Sequence, residues 1–245
     1  MNLSSNFYYF REGFTLANKS FTIYLISASI TLVNEILALQ VLKPLLFLTT
    51  VTSLLMIGYS LSLPALLKMR MEEKTIDVKS YFGVILKSIK RSFFPLILLG
   101  FLIVLFVLVL VIILFLAKLD PMQMMQSLFK NLQNNQLNTS YLLFTFVSSF
   151  IVASQTFTTT LFSIEKQGLI KSVIGSISLS LKNLSFVLYV FIINFFLFLV
   201  SSSLTVLPPS IASPIFSLLS GYIDIIVVSA VLLFYLKRLQ KNHSS

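Results

Sequence analysis

Between Arg91 and Lys118 the chain carries no charged residue for 26 consecutive positions, and most of these are Leu, Ile, Val or Phe. As an α-helix this run is about 39 Å long, more than the roughly 30 Å of hydrocarbon in a bilayer. A helix satisfies its own backbone hydrogen bonds in lipid, so the run predicts a tilted transmembrane helix.

The rest of the chain agrees. Apolar residues make up 57% of it, Phe occurs 24 times and charged residues reach only 11%, a balance that excludes an ordinary soluble domain. Six segments are long enough to span, at about 20–40, 44–67, 93–117, 141–164, 184–207 and 215–236. The first is interrupted near its far end by Asn34 and Glu35. About 19 mostly polar residues precede it and no A-x-A site follows, so it is expected to remain in the protein. The expected fold is an all-α polytopic membrane protein, a single six-span domain over 1–245.

The charge is +10, with 15 of the 18 basic residues falling on one side of these spans. They are Arg11 and Lys19, the group from Lys68 to Arg91, then Lys166, Lys171 and Lys182, then Lys237, Arg238 and Lys241. Lys43, Lys118 and Lys130 fall on the other. Positive loops stay in the cytoplasm, so both termini are expected there. Basic residues placed between apolar blocks point to anionic headgroups as the partner, with no role for nucleic acid.

One half-basic phrase is written twice. "KSYFGVILKSIKRSFFPL" (79–96) returns as "KSVIGSISLSLKNLSFVL" (171–188), sharing eight of 18 positions, among them the glycines Gly83 and Gly175. In both copies polar positions recur at helical spacing (79, 83, 87, 90 and 171, 175, 178, 182), with apolar ones (78, 82, 85, 89 and 170, 174, 177, 181) on the other face. Each reads as an amphipathic helix at the inner interface that leads into a span. Tyr9-Phe10 and Ser20-Phe21 match Tyr81-Phe82 and Ser92-Phe93 at a common offset, which extends the pattern to three two-span repeats. The alternative is that any chain places basic residues ahead of a span.

The stretch "EKQGLIKSVIGSISLSLKN" resembles the YciC-like family of bacterial inner-membrane proteins in Glu165, Lys166, Gly168, Ser172, Ser176 and Asn183, and "SAVLLFYLKRL" (229–239) is similar to that family's closing span. The resemblance implies a six-span protein of the inner membrane, related in layout to the membrane domains fused to some glycerophosphodiester phosphodiesterases. Those domains lack the catalytic part, so it implies no enzyme.

The residues themselves point the same way. There is no Cys, which excludes disulfides, a thiolate nucleophile and a Cys-ligated metal; the one His is His243, in the polar tail. A Ser-His site, an HExxH metalloprotease and a phosphate-binding GxxxxGK[ST] loop are all unavailable. In "IGSIS" Ser176 has no partner base, so Gly175 reads as a helix-packing residue and not as part of a nucleophile elbow. Glu72-Glu73 matches the paired acid of one intramembrane protease class, but the membrane His residues are missing. No cofactor is expected.

An ionisable side chain at membrane depth is costly and marks a candidate site. Asp224, with Tyr222 beside it in "SGYIDIIVVSA", lies nine residues into the last expected span, about 14 Å from its outer end. Glu35 and Asn34 are expected in the same outer half, where two carboxylates bind a cation, share a proton or meet an amine. The structural alternative pairs Asp224 with Lys43 or with the Tyr222 hydroxyl. Gln155 and Asn194 are expected to form interhelical hydrogen bonds. Lys90, Arg91 and Lys182 are candidate contacts for an anionic phospholipid.

Three function classes follow: a non-catalytic envelope, assembly or immunity-type factor working through lipid or protein contacts; a small proton- or cation-coupled transporter component; and a membrane subunit of a larger exporter or enzyme.

Overall fold

The computed structural model describes residues 3–38, 46–72, 77–116, 139–203 and 208–239. Among them every regular element is a helix. α1 (Leu3–Lys19) meets α2 (Phe21–Ala38) at a 75° bend, where the Ser20 carbonyl accepts the Ile23 N–H at 2.8 Å. α3 (Leu46–Met71) ends on Lys68 and Arg70, cations placed where the helix dipole is negative.

α4 (Val78–Leu116) is one helix of 39 residues. Asp77 caps it: its carboxylate accepts the Ser80 N–H at 2.9 Å, and the Ser80 hydroxyl and amide together hold the Asp77 carboxyl below its ordinary range. α5 (Thr139–Ser154) and α6 (Thr158–Ser163) follow, then α7 (Leu169–Lys182), which meets α8 (Leu184–Ser203) at 107°. α9 (Pro209–Phe234) starts with Pro in its first turn and runs into a π-helical turn over Tyr235–Leu239.

Helices occupy all six expected apolar segments. By length and hydropathy two stretches of the described residues qualify alone as spans, Thr50–Met71 and Pro214–Lys237, and up to four if each bent pair is one span. The chain is therefore an all-α membrane protein.

Two expectations need correction. The segment at 141–164 is not one helix but breaks at 155–157. The two copies of the half-basic phrase are also not used alike. The first runs straight through in α4, whereas the second is bent at Asn183. Ile85 is fully buried and its counterpart Ile177 is 42% exposed; Phe94 is 74% exposed and its counterpart Phe186 is buried. The faces differ because Ser172, Ser176 and Ser180 point inward in α7, leaving Ile170, Ile174, Ile177 and Leu181 outside. Helical spacing groups the apolar residues of α7 on one face, and that face lies outward, away from the protein.

α9 is the common neighbour of α1, α2, α3 and α8. It packs on one side with Ile23, Tyr59, Leu63, Leu66, Tyr81 and Ile85. On the other it joins a cluster of rings: Phe186 and Phe234 stack at 4.2 Å, with Phe10 and Phe157 stacked on Phe186 at 5.4 and 6.2 Å. α1 comes so close to α9 that a Cβ on Gly13 would stand 2.8 Å from the Ala230 nitrogen and 2.9 Å from the Ile226 carbonyl oxygen.

Backbone cannot move aside as a flexible side chain can. Gly13→Ala is therefore expected to destabilise the protein by about 1–3 kcal/mol, read as a lower unfolding temperature in detergent. Gly83→Ala meets nothing within 4 Å and is expected to be neutral or to stabilise by about 0.5–1 kcal/mol.

Candidate functional site

The polar groups of α2, α3 and α9 converge on a cavity of about 420 Å³. α2 supplies Ser27 and Thr31, one helical turn apart, and α3 supplies Ser53, Tyr59 and Ser60. α9 supplies Ser217, Ser220 and Asp224, at the three- and four-residue spacing that puts them on one face. Thr159 from α6 completes the wall. Hydroxyl donors and acceptors thus surround a single carboxylate.

Asp224 is open to this cavity. Among the described residues it makes no hydrogen bond and no ion pair. The Tyr222 hydroxyl, expected as its partner, donates instead to Asn18 Oδ1 at the end of α1. Residues two apart on a helix diverge by about 200°, so Tyr222 and Asp224 face opposite ways. Lys43 lies outside the described residues; Leu46, the first described residue after it, precedes Tyr59 by about 20 Å of helix rise.

α9 begins at Pro209, so Asp224 lies about 22 Å from the helix start, about 15 Å from the start of the apolar stretch at Pro214 and about 15 Å before Phe234. It faces the part of α2 at Ser27 and Thr31, while Asn34 and Glu35 follow one to two turns later. Those two residues lie within α2, and their side chains are outside the described set.

Tyr59 is 6% exposed, and its hydroxyl makes no hydrogen bond of normal geometry, although Ser27 is the side chain that faces it. Thr31 by contrast bonds the Met56 sulfur at 3.4 Å, and Tyr24 reaches the Leu218 carbonyl at 3.2 Å while its ring meets Tyr222 edge-on.

The other sequence candidates lie elsewhere. Arg91 is held within the protein: its guanidinium sits 3.6 Å from the centre of the Phe162 ring and donates to the Phe162 carbonyl. Lys90 and Lys182 are exposed. Gly175 packs against Leu161, with 3.1 Å between a notional Cβ and Cδ1, whereas Gly83 faces open space.

Gln155 and Asn194 serve locally in place of the expected bonds between helices. Gln155 accepts the Thr158 hydroxyl at 2.7 Å across the helix break, and Asn194 donates to the Val190 carbonyl at 2.9 Å on its own helix. The contacts between α7 and the break fall to serines. Ser176 accepts the Phe157 N–H at 3.0 Å and donates to the Ser154 carbonyl at 3.1 Å, which Ser180 also reaches at 3.0 Å.

Sequence reasoning missed Tyr59, Ser27 and Thr31, because a Tyr or a hydroxyl in an apolar run reads as an ordinary span residue. The signal available was the four-residue spacing of Ser27 with Thr31 and of Ser172, Ser176 and Ser180.

A second cavity, of about 650 Å³, is apolar and lies between α5, α7 and α8, lined by Phe146, Phe150, Ile177, Leu181 and Phe191 among others. No family model matches the chain, and no curated protein or solved structure matches it.

Arg91 and Lys90 are adjacent cations with opposite environments. Arg91→Ala is expected to cost about 1–3 kcal/mol, through loss of the ring contact and of a charged hydrogen bond. Lys90→Ala is expected to stay within about 0.5 kcal/mol in the same thermal unfolding assay.

Proposed function

We propose that the chain is a six-span protein of the bacterial inner membrane, with both termini cytoplasmic, which acts through contacts with lipid and with a membrane-protein partner and has no catalytic step. The observation that carries this reading is α7. Its outer face presents Ile170, Ile174, Ile177 and Leu181, flanked by the exposed Lys171 and Lys182, and it turns 107° from α8. A helix at nearly a right angle to a span lies along the membrane plane. Its apolar ridge enters the boundary of headgroups and acyl chains, while its lysines meet phosphate, each adding about 1 kcal/mol on an anionic leaflet.

α1 supports the same reading, for it exposes Phe7, Tyr8 and Phe14 beside Arg11 and bends by 75° into α2. The bends after Lys19 and Lys182 fall at corresponding places of the proposed repeat, with α4 as an unbent middle copy. Kinship with the YciC-like family is supported by the use made here of the shared residues: Glu165 accepts the Tyr235 hydroxyl at 3.0 Å, Ser172 and Ser176 are buried, and Asn183 donates to the Leu179 carbonyl at the bend. A second reading, a cation-coupled transporter component, draws on the Asp224 cavity alone.

The chain has no native Cys, so single Cys probes report orientation cleanly. Ser4→Cys and Ser245→Cys in intact cells are expected to resist a membrane-impermeant maleimide, while Asn134→Cys is labelled; labelling at either terminus overturns the topology. Native mass spectrometry of protein extracted with phosphatidylglycerol is expected to show bound lipid that falls several-fold in Lys171→Gln/Lys182→Gln. Unchanged retention in that variant removes α7 as the lipid contact.

A further inference from the structure

We propose that the cavity around Asp224 is a binding site for a small organic monocation, an ammonium compound whose charged nitrogen pairs with the carboxylate while hydroxyls of α2 and α3 take its remaining hydrogens. This does not rest on the lipid-contact reading, since α7 contributes no wall to the cavity.

Charge comes first. A carboxylate in a membrane interior is stable only when neutralised or given donors, yet among the described residues no Lys, Arg or His pairs with Asp224 and no donor reaches it. One negative charge balances one positive charge; a divalent ion would remain half-neutralised in a low-dielectric site.

Size comes second. A bare metal ion needs oxygens converging on one point at about 2–2.6 Å. Here the oxygens instead line a space of about 420 Å³, within the range of small-molecule sites. Several non-hydrogen atoms are needed to fill it.

The third observation is Tyr59. Its hydroxyl is buried in the cavity wall with no hydrogen bond of normal geometry, a state that costs free energy unless a ligand completes it. Asp224 lines the same cavity, so a ligand seated there faces both groups. Ser27 and Thr31 line the cavity from α2, and the Met56 and Leu63 side chains give an apolar body room beside the charged end.

The test is equilibrium binding of tritiated phenethylammonium to the full chain in nanodiscs of phosphatidylcholine, a zwitterionic lipid that keeps the α7 lysines out of the result. Saturable binding is expected, displaced by unlabelled phenethylammonium but neither by its neutral isostere 2-phenylethanol nor by equimolar sodium. Asp224→Asn is expected to weaken binding at least tenfold and Tyr59→Phe about three- to tenfold, while Glu12→Gln, whose carboxylate meets Arg11 on α1, leaves it unchanged. Both displacement results come from the wild type, so they decide the matter even if a variant fails to fold. Absence of saturable binding at millimolar concentration, equal displacement by the alcohol, displacement by sodium, or full binding in well-folded Asp224→Asn each overturns the proposal.

Discussion

A helix interrupted at membrane depth must find partners for its freed backbone groups inside the protein, because lipid offers none and each orphan costs several kcal/mol. The break at 155–157 between α5 and α6 is where this constraint acts. Its amide at Phe157 and its carbonyl at Ser154 are both taken by α7, through Ser176 and Ser180. α7 must therefore lie against the break with its serines inward, and the rest of its geometry follows. Its isoleucines turn outward, and the chain must bend at Asn183 before α8 can cross. The ring of Phe157 then falls against Phe186 and Phe234.

That ring cluster ties the break to α9. Each aromatic pair contributes about 0.5–1.5 kcal/mol beyond simple burial, and α1, α5, α6, α8 and α9 meet in the cluster. Gly13 lets α1 press on α9 from a further side, and α2 and α3 pack on what remains. α9 is thus fixed by contacts from Ile225 to Tyr235. The face bearing Ser217, Ser220 and Asp224 remains turned to the cavity. The cavity walls are consequently rigid elements, the arrangement that holds a polar site in register.

The sequence made the helices legible because apolar runs of span length have few alternatives, and the described interior of all six such segments is helical except at the break 155–157. The break at 155–157 was not legible: "SQTFTTT" contains neither Pro nor Gly, and what ends the helix there is a donor and an acceptor 19 to 26 positions away. The different use of the two phrase copies was hidden for a related reason. Burial in a membrane protein does not follow polarity, since serines that bond backbone belong inside and isoleucines that meet lipid belong outside. Asp224 was found by its charge, but its environment was not, because Tyr222 lies on the far side of the helix and the nearer wall comes from residues more than 160 positions earlier.

Asp224 and Arg91 show how differently one fold treats its costly charges. Arg91 is enclosed by an aromatic face and a carbonyl, which repay part of its desolvation, so packing explains its presence. Asp224 receives no such compensation from the described residues, though Ser, Thr and Tyr hydroxyls surround the cavity it faces. If the carboxylate served only to join helices, it would be expected to accept a hydrogen bond from one of them, as Glu165 does from the Tyr235 hydroxyl. Tyr59, only 6% exposed, has no hydrogen bond of normal geometry either. Two polar groups left open in the same cavity, on different helices that are otherwise tightly packed, are better explained by a missing third component than by two independent packing faults.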